Sequence, residues 1–141
     1  MKIEEIENEI IDEFDVFEDW MGKYEYLIDL GKSLPLIDPE YKTENNLIKG
    51  CQSQVWMHSE LKDGKVVYTA DSDAIITKGM VALMIRVLSD HTPEEILNSK
   101  LDFVEKIGLT KHLSPTRSNG LVSMIKQMKL DAIAYSSKLE N

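Results

Sequence analysis

Cysteine is nearly absent from this chain: Cys51 is the only one among 141 residues. A single thiol cannot form an internal disulfide. A structural zinc site needs about four cysteine, histidine or carboxylate ligands at close spacing, and an iron–sulfur cluster held by one chain usually needs about four thiolates. The three histidines, His58, His91 and His112, stand far apart in the sequence. We therefore expect neither a disulfide framework nor a metal site.

Long apolar runs and clusters of positive charge are also missing. No apolar run approaches the roughly 20 residues that a membrane-spanning helix needs. The N-terminal segment MKIEEIENEI is acidic and amphipathic, unlike a secretory signal peptide. The net charge of −9 repels phosphate backbones. These features predict a cytoplasmic protein that binds neither membranes nor nucleic acid. The acidity either favours a partner with a basic patch or only improves solubility.

The motifs of nucleotide-binding and hydrolytic enzymes are missing as well. Neither G-x-x-x-x-G-K-[ST] nor G-x-G-x-x-G occurs, so nothing supports a phosphate-binding loop. A Cys–His hydrolase needs a base beside its nucleophile. His58 follows Cys51 in a segment predicted to be extended, which separates them by over roughly 20 Å, whereas His112 could approach in the folded chain. A cysteine-dependent hydrolase or transferase acting alone stays an alternative without a local signature.

The N-terminal third of the chain has the period of helices. Apolar residues spaced three or four apart predict an amphipathic helix over 3–17 and a second helix from Trp20 to Gly31. Residues 35–46 contain two prolines and many polar side chains, and are predicted to form an extended loop.

The next segment has the period of strands. Alternation in 55–61 and β-forming residues in 65–70 flank the turn signal Lys62-Asp63-Gly64, which predicts an antiparallel hairpin. Because an isolated hairpin is only marginally stable, we expect a third strand at 46–49.

Helical signals resume after the hairpin. Ser72 or Asp71 is predicted to cap a helix whose apolar residues run from Ile75 to Val87. The segment Thr92-Pro93-Glu94-Glu95 combines an N-cap, a proline at the first helical position and a capping box. The remaining predicted segments are a short helix at 101–107 closed by Gly108, a polar loop at 110–120 and a last helix from Leu121. The whole predicts one α+β domain over 1–141, with a small antiparallel sheet of about three strands flanked by helices.

One accessible thiol is enough to transfer a single sulfur atom. A thiolate can attack a persulfide on another protein and take its terminal sulfur, as in thiol–disulfide exchange. A second cysteine would discharge the product as a disulfide, so a chain with Cys51 alone suits this chemistry. A lone cysteine is, however, more often a small buried apolar residue. Composition alone leaves both interpretations of Cys51 open.

The segment GCQSQVW, residues 50–56, resembles the active-site segment of the SufE family, the sulfur acceptors that serve cysteine desulfurases. Further segments are similar to the same family, in the same order and over nearly the whole chain: YEYLIDLGKSLP at 24–35, ENNLIKG at 44–50, DSDAIITKG at 71–79 and HLSPTRSNGL at 112–121. The related CsdE branch shares these segments, so they indicate the family and not the branch.

The resemblance implies a SufE/NifU-like fold and a defined role. Proteins of this family bind a pyridoxal-phosphate cysteine desulfurase of the SufS type, accept its persulfide sulfur and stimulate its turnover. They then pass the sulfur to an iron–sulfur scaffold complex of the SufBCD type. Because the pyridoxal phosphate belongs to the desulfurase, this chain is expected to need no cofactor and to be an accessory protein, monomeric or weakly dimeric, and not an enzyme. A purely structural adaptor of a desulfurase is a further alternative.

The resemblance also assigns roles around the cysteine. Cys51 matches the nucleophile and sulfur carrier, and Gly50 permits a tight turn before it. Gln52, Ser53 and Gln54 either hydrogen-bond the loop or the persulfide, or contribute only loop polarity. We also expect apolar neighbours to shelter Cys51 until the desulfurase docks, because a persulfide in water reacts with many oxidants and reductants.

More distant residues are predicted to support this loop. Arg117 either favours the thiolate of Cys51 or is only a solvated charge. Asp71 and Asp73 are predicted at a helix start, where negative charge is favoured, and could border the cysteine loop. His112 lies in the late family-like segment.

Overall fold

Two helices begin the chain close to where the sequence places them. The structure, a computed structural model, describes the backbone of residues 1–140 and the side chains of residues 1–139. Helix α1 spans Ile3–Asp15 and α2 spans Trp20–Gly31. Asp19 caps α2, because its carboxylate accepts a hydrogen bond from the N–H of Gly22 at 2.9 Å. The domain predicted over 1–141 ends at Asn141, which lies outside the described residues.

A two-stranded antiparallel hairpin follows, as the alternating pattern predicts. Strand β1 (Val55–Lys62) pairs with β2 (Lys65–Ser72) along its full length. Asp63 and Gly64 both have positive φ, +52° and +78°, as a tight hairpin turn requires. Helices and a separate antiparallel hairpin confirm the predicted α+β class.

The predicted third strand is wrong. Segment 46–49 contributes one isolated bridge, between Leu47 and Trp56. A 3₁₀ turn at Glu44–Asn46 precedes it and Gly50, with φ +95°, follows it, so the extended backbone between them is too short for a strand. The predicted loop 35–46 also contains a second 3₁₀ turn, Pro39–Tyr41. Within the described residues, the sheet therefore consists of two strands, β1 and β2.

Helix α3 (Ile75–Leu88) is the centre of the core, with 11 of its 14 residues buried. A Cβ on Gly79 would lie 2.2 Å from the carbonyl oxygen of Leu27, so glycine lets α2 and α3 approach backbone to backbone. The predicted cap is wrong, because Ala74 is the N-cap and makes no side-chain cap bond. Strand pairing continues through Ser72, which places Asp71 and Ser72 on the hairpin and not at the helix start.

Helix α4 (Pro93–Asn98) starts as predicted. The hydroxyl of Thr92 accepts the N–H of Glu95 at 3.2 Å, and the Glu95 carboxylate accepts the N–H of Thr92 at 3.0 Å. Helix α5 (Phe103–Lys106) lies inside the predicted segment 101–107, and Gly108 has the left-handed φ of +88° that suits a helix end.

The predicted polar loop at 110–120 is wrong. Helix α6 (Leu109–His112) occupies its start, and α7 (Pro115–Glu140) already begins at Pro115. The hydroxyl of Ser114 accepts the N–H of Arg117 at 3.3 Å, so a serine followed by a proline starts this helix. Although α7 has 26 residues, no helix of the described chain is both long and apolar enough to cross a membrane.

Candidate functional site

The loop that carries Cys51 is closed at its base by backbone and side-chain hydrogen bonds. The N–H of Ile48 donates to the carbonyl of Val55 at 2.8 Å. Beyond Cys51, the N–H of Gln54 donates to the Asp73 carboxylate at 3.0 Å, and the Gln54 carbonyl accepts the Ser72 hydroxyl at 2.8 Å. The loop is thus tied both to β1 and to the segment that connects β2 with α3.

Gly50 gives the loop a turn that other residues cannot make without strain. Its φ is +95°, in the left-handed region that favours glycine. A Cβ at this position would also lie 2.5 Å from the hydroxyl oxygen of Ser123 on α7. The turn therefore brings the loop against α7 immediately before Cys51.

Cys51 is half-buried and packs against the edge of the core. Its thiol donates a weak hydrogen bond to the carbonyl of Gly120, with Sγ and the oxygen 3.6 Å apart. Burial raises the pKa of the Cys51 thiol above its ordinary value. At neutral pH the resting sulfur is therefore mainly a protonated thiol, sheltered as the sequence leads us to expect.

A small cavity of about 90 Å³ lies beside the sulfur. The cysteine loop lines it with Cys51, Gln52 and Ser53, and α3 with Thr77 and Met80. Helix α7 contributes four residues: Thr116, Arg117, Gly120 and Met124. Since a water molecule occupies about 30 Å³ in the liquid, the cavity has room for at least one further atom next to Sγ.

A comparison with known families gives a match over most of the chain. The family model described as SufE, Fe-S metabolism associated domain, matches residues 8–132. The chain belongs to the SufE family. The family's description links this SufE-like chain to iron–sulfur metabolism in general terms.

Several curated relatives of this SufE-like chain carry the same family name. The chain is 41% identical over 133 residues to SufE-like protein 1, chloroplastic/mitochondrial, of Arabidopsis thaliana, covering 94% of this chain but 36% of that protein. It therefore spans about a third of the plant relative's length. Uncharacterised SufE-like proteins of Synechocystis and of Rhizobium meliloti are 42% and 39% identical, each over 89% of this chain and over 79% and 93% of theirs.

A solved structure has the same fold. The solution structure of a hypothetical protein from Thermus thermophilus superposes with a TM-score of 0.78, covering 94% of this chain and 96% of that one. The two sequences are 19% identical, so the similarity supports the fold alone.

Some of the predicted site residues line the cavity beside Cys51. Gln52, Ser53 and Arg117 line it together with Cys51. Gln54 and Asp73 do not line it, but their hydrogen bonds fasten the end of the loop. Which of these residues act in the chemistry stays a prediction.

Asp71 and His112 are engaged elsewhere. Asp71 forms ion pairs with Lys42 at 3.0 Å and Lys78 at 3.4 Å. His112 stacks on the indole of Trp20, with the ring centroids 4.5 Å apart. His58 stacks on Tyr41, and none of the three histidines lines the cavity beside Cys51. The cysteine therefore has no imidazole base beside it in this conformation.

Arg117 stands at the rim, with Nη1 3.5 Å from the hydroxyl of Tyr24. Its side chain lies on the cavity wall, yet the pKa of Cys51 is raised by burial. In the resting protein, desolvation of the sulfur therefore outweighs any stabilisation of the thiolate by this cation.

Apart from Arg117, the residues of α3 and α7 that line the cavity were not predicted from the sequence. Thr116, Gly120 and Met124 follow one another at a spacing of four, which places them on one helical face. Had Ser114-Pro115 been interpreted as a helix start, this spacing would have predicted their shared face. The residues on α3, Thr77 and Met80, are also one turn apart, but nothing in the sequence aims that face at Cys51.

Proposed function

We propose that this SufE-like chain accepts sulfur from a SufS-type cysteine desulfurase on Cys51, stimulates that enzyme, and passes the sulfur to an iron–sulfur scaffold complex of the SufBCD type. The observation that carries the proposal is the sheltered Cys51 sulfur beside a cavity of about 90 Å³. Such a site suits the storage of one extra atom. No imidazole lies in it to activate a water molecule or the thiol, which disfavours a hydrolase acting alone.

The transfer step balances without an oxidant or a cofactor of this chain. The thiolate of Cys51 attacks the terminal sulfur of the desulfurase persulfide. The S–S bond of the donor breaks, a new S–S bond forms at Sγ of Cys51, and the donor cysteine leaves as a thiolate. The proton that Cys51 gives up compensates the one that this thiolate takes, so a thiol and a persulfide have exchanged one sulfur atom.

The resting geometry requires a change before this attack. The Cys51 thiol donates to the carbonyl of Gly120 and burial raises its pKa, so a donor persulfide meets a half-buried, protonated sulfur and not a thiolate. We infer that docking moves the loop out from α7 about its two fastened ends. Arg117, Gln52 and Ser53 line the cavity, and we propose that they stabilise the negative charge of the thiolate or persulfide.

The proposal also covers the cofactor, the oligomeric state and the cellular compartment. Pyridoxal phosphate is supplied by the desulfurase alone, and this chain acts as an accessory protein without its own cofactor. We propose that it works in the cytoplasm as a monomer or weak dimer. The Arabidopsis relative is named chloroplastic/mitochondrial, so measuring where the protein resides would test the compartment directly.

The test follows a single sulfur atom. The protein is mixed with a SufS-type desulfurase, pyridoxal phosphate and L-cysteine, and the intact chain is weighed. We expect a gain of one sulfur atom at Cys51, and expect Cys51→Ser to gain nothing and to lose stimulation of the desulfurase. Stimulation by Cys51→Ser would instead support the structural adaptor. Turnover of a substrate without any desulfurase would support the hydrolase or transferase.

A further inference from the structure

A second cavity, of about 260 Å³, lies at the base of the cysteine loop. It is bounded by the segment that leads to Gly50, by β1 and by the middle of α7. Its polar lining residues are Asn45, Asn46, His58, Ser59, Gln127 and Asp131. The sulfur chemistry proposed for Cys51 uses none of them.

Asp131 is the charged group of this cavity. Its Oδ1 accepts a hydrogen bond from Nε2 of Gln127 at 3.0 Å, and its Oδ2 accepts one from the Ser59 hydroxyl at 3.2 Å. A carboxylate offers about four acceptor positions, so roughly half of them are free. Among the side chains of residues 1–139, no lysine, arginine or histidine pairs with it.

The surroundings hold this carboxylate in place without neutralising it. The hydroxyl of Tyr135 donates to the Ser59 carbonyl at 2.9 Å, which fixes the residue that donates to Asp131. The side-chain nitrogen of Asn46 donates to the Tyr41 carbonyl at 2.6 Å, so its amide oxygen is the group left as an acceptor. Burial raises the pKa of Asp131, and the hydrogen bonds from Gln127 and Ser59 together with nearby His58 offset this only in part.

We propose that this cavity binds an organic cation with several N–H donors, a guanidinium or primary ammonium group, through Asp131. A guanidinium can place parallel N–H groups on a carboxylate and match both oxygens. A metal ion fits poorly, because no group of three or more His, Cys, Asp or Glu side chains in the described chain could hold one. The net charge of −9 favours the approach of cations.

Two sources could supply this chemistry: a free basic amino acid, or a basic side chain of another protein. The cavity wall includes Leu47 and Ile48, and Lys49 joins Ile48 to Gly50 and Cys51. A bound cation would therefore contact the segment that carries the cysteine loop. The inference does not depend on the sulfur transfer proposed above.

The direct test is nuclear magnetic resonance of the full-length, ¹⁵N-labelled protein, titrated with methylguanidinium chloride at constant ionic strength. We expect saturable shifts of the amide signals of Ser59, Gln127 and Asp131. Asp131→Asn keeps the shape but loses the charge, and should weaken binding about tenfold or more. The matched control Asp12→Asn, on the exposed face of α1, should bind like the unmodified protein.

Further probes separate the sources and the role of the donors. Tighter binding of L-arginine than of N-acetylarginine amide would support a free metabolite, and the reverse order would support a protein side chain. Tetramethylammonium, a charge without N–H donors, should bind more weakly, and equal binding would overturn the role of the donors. Unsaturable shifts with every probe, or unchanged affinity in Asp131→Asn, would overturn the site.

A second variant keeps the test decisive if Asp131→Asn does not fold. Gln127→Lys places a tethered ammonium one helical turn from Asp131 on α7. We expect the Gln127→Lys protein to fold. Its lysine ammonium should compete with methylguanidinium for the Asp131 carboxylate. Undiminished methylguanidinium binding to Gln127→Lys would overturn the proposal.

Discussion

Two cavities of this molecule differ in size and in chemistry. One, of about 570 Å³, lies between α1 and the segment around α4 and α5, with Glu7, Ile11 and Phe103 among its walls. The other, of about 90 Å³, holds the Cys51 thiol. The large cavity contains carboxylates, lysines and apolar side chains but no thiol. The small one contains the chain's single cysteine.

The two cavities differ in how closely their walls pack. Around Cys51 the walls lie close together: Gly50 turns the loop onto α7, and the backbone carbonyl of Gly120 accepts the thiol hydrogen bond. A carrier of one sulfur atom needs no more room than this. The large cavity is lined by charged and apolar side chains and has no thiol that could take up sulfur.

The strongest way to disturb the small cavity is Gly50→Ala. Alanine at φ +95° is strained, and its Cβ would meet the Ser123 hydroxyl at 2.5 Å. We expect the free energy of unfolding, measured by urea denaturation, to fall by about 1–3 kcal/mol. Sulfur uptake by Cys51 should fall with it, because the loop no longer lies against α7.

A matched pair of variants separates strain from collision. Gly64→Ala, at φ +78° with no atom within 4 Å, should show the strain alone. Adding Ser123→Ala to Gly50→Ala removes the colliding oxygen and should restore part of the lost stability. A Gly50→Ala protein as stable as the original would contradict the importance of this turn.

The second variant, Gly120→Ala, should separate stability from function. Its Cβ would sit 3.4 Å from the Cys51 sulfur, in ordinary contact, and would occupy space beside it. Alanine in a helix interior is favoured over glycine by about 0.5–1 kcal/mol, so stability should hold or rise. Sulfur uptake, followed by intact mass, should slow several-fold. Unchanged uptake would mean that the space beside Sγ is not used.

The sequence predicts most of the fold because its local signals are strong. The capping box at Thr92 and the turn at Asp63-Gly64 depend only on residues that are close together in the sequence, and both form as predicted. The third strand does not form because the 3₁₀ turn at Glu44–Asn46 and the turn at Gly50 leave only three residues between them. The start of α7 was not predicted because the polar residues after Pro115 were interpreted as a loop, although Ser114-Pro115 is a helix-start signal.

The residues of the candidate site likewise differ in how far the sequence predicts them. Cys51 and its immediate neighbours are found from one short segment, since the loop itself supplies them. Gly120 and Met80 come from helices distant in sequence, and only the packing of α3 and α7 brings them to the sulfur. Hydrogen bonds such as that of Gln54 with Asp73 likewise depend on how the hairpin meets α3.

The resting state of Cys51 can be tested by pH. Since burial raises its pKa, the folded protein keeps the thiol proton to a higher pH than the unfolded chain. The midpoint of alkylation by iodoacetamide should therefore lie higher in buffer than in concentrated urea. Stability should correspondingly decline as pH rises through the pKa of the unfolded thiol, and Cys51→Ser should lack that component. Equal alkylation midpoints would contradict a sheltered sulfur.

The smallest effect is expected in the large cavity, from Glu7→Gln. Burial raises the pKa of Glu7, and the nearby backbone of Phe103 only partly offsets this effect. The folded chain therefore holds this proton to a higher pH than the unfolded chain, so stability falls as pH rises through the unfolded carboxyl value of about 4.3. Glutamine stays neutral at every pH, so the urea midpoint should rise slightly at neutral pH and change little below that value. Sulfur uptake should be unaffected, because Glu7 does not line the Cys51 cavity. A Glu7→Gln protein that folds normally but takes up sulfur slowly would place the large cavity in the transfer pathway and remove the distinction between the two.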